Sequence, residues 1–172
     1  FEACALELYA WQRQNNPEYD RFCGDVTVRS WTEIPAVPTA LFQDVALTSF
    51  PPSDARVVFH TSGTTGSRPG VVRLKSTEIY DLSARLHAER CLGQIPRHGV
   101  SLVPNTQHSS LGHMVENFVP GIRSFFHPTE GIDVHGAWGA IANAAERGEP
   151  IFVPGTAFAF ADLLDTDSTP LS

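Results

Sequence analysis

The residues best suited to chemistry form a run of hydroxyl and glycine residues, Thr61-Ser62-Gly63-Thr64-Thr65-Gly66, directly after the apolar segment that ends at His60. Glycine lets the backbone take positive φ and approach a ligand closely, so successive amides can point at one anion, and hydroxyls add further donors. Arg68 is the nearest cation. We therefore predict that residues 61–70 form a phosphate-binding loop.

The spacing of the glycines excludes two other phosphate loops. A Walker loop has Gly, four residues, then Gly-Lys and Ser or Thr, and the dinucleotide fingerprint is Gly-x-Gly-x-x-Gly; Gly63 and Gly66 match neither. A second interpretation stays open, because clusters of Ser, Thr and Gly are often flexible linkers. The strand-like run Arg56 to His60 before the cluster favours the phosphate loop, since a linker does not usually begin at the end of a buried strand.

Two histidines are candidates for a catalytic role. A polar stretch, residues 105–110, follows the apolar run Val100 to Pro104 and precedes an apolar helix predicted over Leu111 to Val119. Polar residues between a strand and the next helix lie at the edge where α/β sheets bind ligands, so His108 or His113 could reach a substrate there. The alternative is that each is a hydrogen-bonded structural or surface histidine.

The rest of the pattern supplies the elements that position these residues. Val71 to Leu74 is predicted as the return strand of a hairpin with Arg56 to His60. Periodicity also predicts helices over residues 1–14, 134–147 and 157–164, and a third buried strand over residues 151–155. Residues 31–38 are expected to be extended because of their prolines, and residues 41–47 alternate loosely. Strands that alternate with helices indicate an α/β fold with parallel crossovers.

A further helix is predicted from a cap at Ser76 or Thr77 to a stop at Gly93. Ile79, Leu82 and Leu86 recur along it at steps of three and four residues. That spacing predicts an apolar face that packs against the core.

Four stretches of the chain resemble one superfamily of enzymes. Thr61 to Gly66 resembles the nucleotide phosphate loop of the acyl-adenylate-forming superfamily, whose members activate carboxylates with ATP to give acyl-AMP and pyrophosphate. A narrower resemblance, to the acyl-protein synthetases of the fatty-acid reductase that serves bacterial luciferase, is carried by Ile34 to Phe42, Ser109 to Met114 and Gly155 to Phe160. Many relatives continue Gly-x-Pro-Lys-Gly; this chain lacks that lysine, and Arg68 is the candidate to replace its charge.

The resemblance implies a fold and an activity. The fold would be the N-terminal part of the large adenylate-forming domain, an α/β domain with a parallel-rich sheet and flanking helices. The activity would be ATP-dependent activation of a carboxylic acid, in these relatives a fatty acid, for transfer to a thiol of coenzyme A or of a protein cysteine. ATP would bind with Mg²⁺ at Thr61, Ser62, Gly63, Thr64, Thr65, Gly66 and Arg68. His108 becomes the candidate catalytic residue.

The resemblance covers most of the 172 residues but only the first part of such an enzyme. We therefore expect the acidic residues for ribose and Mg²⁺, and the lysine of the C-terminal domain, downstream, and we expect residues 1–172 alone to bind ATP weakly without completing adenylation. Such a portion would expose sheet edge and core, which predicts a protein partner or self-association. An alternative is a truncated or diverged binding or interaction module without turnover, although the intact hexapeptide favours the enzyme.

The composition of the chain excludes several classes of protein. With 42% hydrophobic and 18% charged residues, the chain has the composition of a globular domain. Its net charge of −7 argues against general binding to nucleic acid or to anionic membranes, and no run is long enough to span a membrane. Cys4, Cys23 and Cys91 lack the spacing of a disulfide framework or a zinc site, so we expect reduced, partly buried structural thiols in a cytoplasmic protein.

Overall fold

The structure is a computed structural model that describes residues 1–61, 68–104 and 107–165. Two compact units divide the chain, Phe1–Thr77 and Glu78–Ser172. Among the described residues the fold is mixed α/β, with seven α-helices and three two-stranded sheets. Of these sheets, two are antiparallel and one is parallel.

The first unit is mainly helical with one hairpin. Its elements are helices α1 (Glu2–Asn15), α2 (Pro17–Cys23) and α3 (Leu41–Asp44), strands β1 (Val57–His60) and β2 (Val71–Leu74), and 3-10 turns at Trp31–Glu33 and Pro52–Asp54. The predicted first helix and the predicted hairpin are confirmed. The expectation that residues 31–38 are extended is wrong for residues 31–33, which form a helical turn. Residues 41–44, within the loosely alternating stretch, form a second helical turn. The first of these turns is stabilised by a capping box between Ser30 and Glu33.

Helix α2 was not predicted, although its end signals are present in the sequence. Asn16 caps it by accepting a hydrogen bond from the amide of Tyr19 at 3.1 Å, and Pro17 occupies the first turn, where a missing N–H costs nothing. Gly24, at φ 57°, ends it. The helix thereby buries Tyr19 and Cys23.

The second unit builds a small parallel arrangement around a central strand. It contains α4 (Glu78–Leu92), β3 (Val100–Ser101), α5 (Ser110–Phe118), β4 (Arg123–Ser124), β5 (Phe126–His127), β6 (Gly131–Ile132), α6 (Val134–Glu146) and α7 (Ala157–Asp165). β3 pairs in parallel with β4, and Gly99 forms a parallel bridge to Phe152 on the other side. On the same side as Phe152, the amide of Leu102 donates a hydrogen bond of 2.9 Å to the carbonyl of Pro154. The four helices predicted within residues 76–164 are confirmed.

The core of the second unit lies between this strand segment and helices α6 and α7. Leu102 is fully buried, and its buried neighbours are Val100, Phe125, Ala137, Ala159 and Leu163. Branched and aromatic residues on the strand face small residues on the helices, so the backbones approach closely. Phe125 is therefore a core residue.

The predicted apolar face of α4 is not its packed face. Ile79, Leu82 and Leu86 are 86%, 60% and 57% exposed, whereas Ala88 is buried. The packed side is instead polar, because Asp81 and Arg85 of α4 bond to residues of α5. Periodicity identified the helix, but hydrogen bonds to α5 determine its orientation.

Candidate functional site

The phosphate loop predicted from the sequence begins and ends at the tip of the β1–β2 hairpin. The register pairs Val57 with Leu74 at the open end and His60 with Val71 next to the loop. One further pair closes the loop: the amide of Thr61 donates to the carbonyl of Gly70 at 2.9 Å, and the amide of Gly70 donates to Oγ1 of Thr61 at 2.8 Å. Residues 62–69 therefore start and finish at one hydrogen-bonded pair.

Gly70 lies where this closure leaves little space for a side chain. A Cβ atom there would lie 3.1 Å from Oγ1 of Thr61 and 3.2 Å from Cβ of Phe42, closer than ordinary van der Waals contact. The buried glycine thus lets the hairpin end and α3 approach each other.

Thr61 and Arg68 are the two predicted phosphate ligands that the structure describes. Oγ1 of Thr61 accepts the amide hydrogen of Gly70, and among the described residues its hydroxyl proton has no acceptor, so it can be donated to a ligand. Arg68 donates through one guanidinium nitrogen to the carbonyl of Gln43 at 2.6 Å and approaches Oδ1 of Asp44 at 3.4 Å. The Arg68 and Asp44 side chains are each 72% exposed, so this ion pair is screened by water.

The other predicted ligands of the phosphate groups, Ser62, Gly63, Thr64, Thr65 and Gly66, lie outside the described residues. Their assignment stays a prediction. Among the described residues, the donors that remain for an anion at this hairpin end are the Thr61 hydroxyl and the Arg68 guanidinium.

His108, the predicted catalytic residue, lies on an exposed turn of the second unit just before α5. Ser109 begins that helix, because its hydroxyl oxygen accepts a hydrogen bond from the amide of Gly112 at 2.9 Å. A catalytic role for His108 stays a prediction.

His113, the alternative histidine, belongs to a polar network between α4 and α5. Its Nε2 lies 2.8 Å from Oδ1 of Asp81, and Nδ2 of Asn117 donates to the same oxygen at 2.9 Å. Nδ2 of Asn117 also lies 3.0 Å from Nε2 of His113, so the three side chains form one hydrogen-bonded cluster. Since a carboxylate only accepts, the contact with Asp81 is a hydrogen bond when Nε2 carries the imidazole proton. The His113 and Asp81 side chains are 31% and 28% exposed. A histidine oriented by a carboxylate can act as a general base.

Tyr80 borders this network. Its ring centroid lies 6.0 Å from that of His113, and its hydroxyl donates to the carbonyl of Ser110 at 3.1 Å. Burial raises the pKa of Tyr80, so the phenol stays protonated at neutral pH. Sequence reasoning missed Asp81 and Asn117: the four-residue spacing of His113 and Asn117 gives one helix face, but Asp81 lies 32 residues away from His113.

The three cysteines differ from the expectation that each is partly buried. All three are free thiols. Cys23, in the last turn of α2, is buried, whereas Cys4 and Cys91 are exposed. The correction follows from helix position, since Cys4 lies on an open side of α1 and Cys91 in the last turn of α4. Among the described residues no group of three His, Cys, Asp or Glu side chains could hold a metal ion.

Two broader findings bear on the sequence expectations. Within the described part of the chain, no helix is both long and apolar enough to cross a membrane. The small sheets show mixed α/β structure but leave a larger parallel-rich domain as an expectation.

Comparisons with protein-family models, with curated proteins and with solved structures find no match to this chain.

Proposed function

We propose that this chain is the phosphate-binding part of an enzyme that uses ATP to activate a carboxylic acid as an acyl adenylate for transfer to a thiol. The observation that carries the proposal is the hairpin closure at Thr61 and Gly70, which ends two strands at the limits of the hydroxyl- and glycine-rich segment. A linker between elements would not need both ends held in one hydrogen-bonded pair.

The described residues are suited to an anion. The Arg68–Asp44 pair is exposed and is worth only about 0–1 kcal/mol. Arg68 can therefore leave Asp44 for a phosphate at little cost. Thr61 would add one hydroxyl donor, and the amides of residues 62–66 would add the rest. ATP with its Mg²⁺ would supply the adenylyl group, with pyrophosphate as the leaving group.

In this proposal the second unit contributes to the larger adenylate-forming domain. The parallel pairing of β3 with β4 and of Gly99 with Phe152 is the pattern from which a wider parallel sheet is extended. His108 or His113 would serve at the carboxylate, and the thiol acceptor would be coenzyme A or a protein cysteine.

The first test is binding of ATP with Mg²⁺, measured by isothermal titration calorimetry. Arg68→Ala should raise the dissociation constant by roughly 10- to 100-fold, the equivalent of one charge-assisted hydrogen bond. Arg56→Ala is the matched control, because Arg56 is an exposed arginine at the other end of the same hairpin, where its amide bonds to Leu74. Equal affinities for the two variants would remove Arg68 from the site.

The second test separates the enzyme from a binding module without turnover. ATP–pyrophosphate exchange is measured with a panel of fatty and aromatic acids, for this chain and for a longer gene product that contains it. Exchange that depends on the acid supports the enzyme. ATP binding without exchange in the longer product would favour the binding module.

A further inference from the structure

The first unit contains an apolar cavity of about 550 Å³ that opens to solvent and that the proposed function does not use. Its walls come from α1, α2 and the segment of residues 34–47. The apolar lining residues include Ala5, Leu8, Ile34, Val37, Phe42 and Leu47. Protein interiors contain few voids much larger than a water molecule, and ligand pockets typically measure about 300–1,000 Å³. The volume is that of a small-molecule site.

Three polar side chains in the walls, those of Tyr9, Asn16 and Tyr19, already make hydrogen bonds within the protein. Asn16 accepts from the amide of Tyr19, and the Tyr19 hydroxyl donates to the carbonyl of Pro35 at 3.0 Å. Gln12 lines the cavity, and its side-chain amide makes no hydrogen bond to any residue that the structure describes. A primary amide both donates and accepts, so it can bond to one polar group of a ligand.

Charge restricts the ligand further. Among the described residues that line the cavity, no side chain is that of Asp, Glu, Lys, Arg or His. The α-ammonium group of Phe1 is a charged group in the lining, on a residue that is 89% exposed. An ionised ligand inside the cavity would lose its hydration without a charged side chain to pair with, which is costly. We infer that this cavity binds an uncharged, mainly apolar small molecule whose one hydrogen-bonding group meets Gln12.

N-phenyl-1-naphthylamine is a suitable probe, because it is apolar, uncharged and carries a single N–H group. Its fluorescence should increase on titration with the 172-residue chain and saturate at one site per chain. The matched probe 8-anilinonaphthalene-1-sulfonate has the same skeleton with an added sulfonate. We expect it to bind at least about 10-fold more weakly, the difference that about 1.4 kcal/mol produces. Equal or tighter binding of the sulfonate would overturn the inference.

Two variants on α1 locate the probe. Ala5→Phe places a ring inside the cavity and should weaken binding of N-phenyl-1-naphthylamine by about 10-fold or more. Ala3→Phe is the same substitution at an exposed position of the same helix that does not line the cavity, and it should leave the affinity unchanged. Loss of affinity in both variants, or in neither, contradicts the location.

A third measurement uses the wild-type chain and does not depend on how a variant folds. Cys4 lines the cavity and is exposed, whereas Cys91 is exposed on α4 in the other unit. Bound N-phenyl-1-naphthylamine should slow the alkylation of Cys4 by N-ethylmaleimide, read by mass spectrometry, and should leave Cys91 unaffected. Equal rates with and without the probe would overturn the inference. Displacement of the probe by dimer formation at higher protein concentration would assign the cavity to a second copy of the chain instead.

Discussion

Ionisation of Tyr19 should make the first unit unstable at high pH. The side chain is 9% exposed, its hydroxyl donates to the carbonyl of Pro35, and its ring packs edge-on to Tyr9 with centroids 6.2 Å apart. Burial, with a smaller effect of the neighbouring Cys23 thiol, raises the pKa of Tyr19 to about 12 from the ordinary value of 10.0. The folded state therefore favours the neutral phenol.

The sign of the pH dependence follows from proton binding. Below pH 10 the phenol is protonated in both states, and its contribution to stability is fully present. Between about pH 10 and 12 the unfolded chain loses the proton and the folded chain keeps it, so the free energy of unfolding falls as pH rises. The full difference between the two pKa values corresponds to about 3 kcal/mol in the free energy of unfolding, of which about 2 kcal/mol is lost by pH 11.5.

Comparison with Tyr19→Phe isolates this effect from the titration of other groups. At pH 8 the variant should be about 1 kcal/mol less stable, because the Pro35 carbonyl loses its donor. At pH 11.5 the order should invert, with the variant more stable by about 1 kcal/mol, since it has no phenol to ionise. The assay is urea unfolding at several values of pH, followed by tryptophan fluorescence. A stability difference that stays constant from pH 8 to 11.5 would refute the reasoning.

Two smaller substitutions test the packing of the second unit by urea unfolding at neutral pH. Gly99→Ala should destabilise by about 1–3 kcal/mol, because the new Cβ would lie 2.7 Å from the carbonyl oxygen of Phe152; Gly139→Ala, where a Cβ meets nothing within 4 Å, should be neutral or slightly stabilising. Equal effects at the two glycines would contradict the packing argument. Ser109→Ala should cost about 0.5–2 kcal/mol by removing the cap of α5, and Ser109→Asn, which keeps an acceptor, should recover most of it.

Elements that are determined by residues close together in the sequence were predictable. The hairpin is an example, because β-branched and aromatic residues on both sides of the loop fix its two strands, as the register from Val57 to Leu74 shows. Helix α2 was predictable in principle from Asn16-Pro17 and Gly24, but a helix of 7 residues, about two turns, is too short to show a clear periodicity.

Features that depend on distant residues were not predictable. The polar side of α4 packs because Asp81 meets His113, 32 residues later, and no periodicity encodes that pairing. The partners of Arg68 lie 24 and 25 residues before it. The cavity likewise combines α1 with residues as far along the chain as Leu47, so its volume follows from packing alone.

Thr61 illustrates how one residue type can serve structure and ligand together at the proposed site. Its Oγ1 accepts the amide hydrogen of Gly70 and so fixes the end of the hairpin, and the same oxygen still carries a proton that can be donated. Valine would match the shape but would leave the Gly70 amide without this acceptor. Arg68 complements this fixed donor, because its exposed bonds to Gln43 and Asp44 cost little to exchange. A fixed hydroxyl beside an exchangeable cation is an arrangement that can recognise a phosphate without holding the cation unpaired before the phosphate arrives.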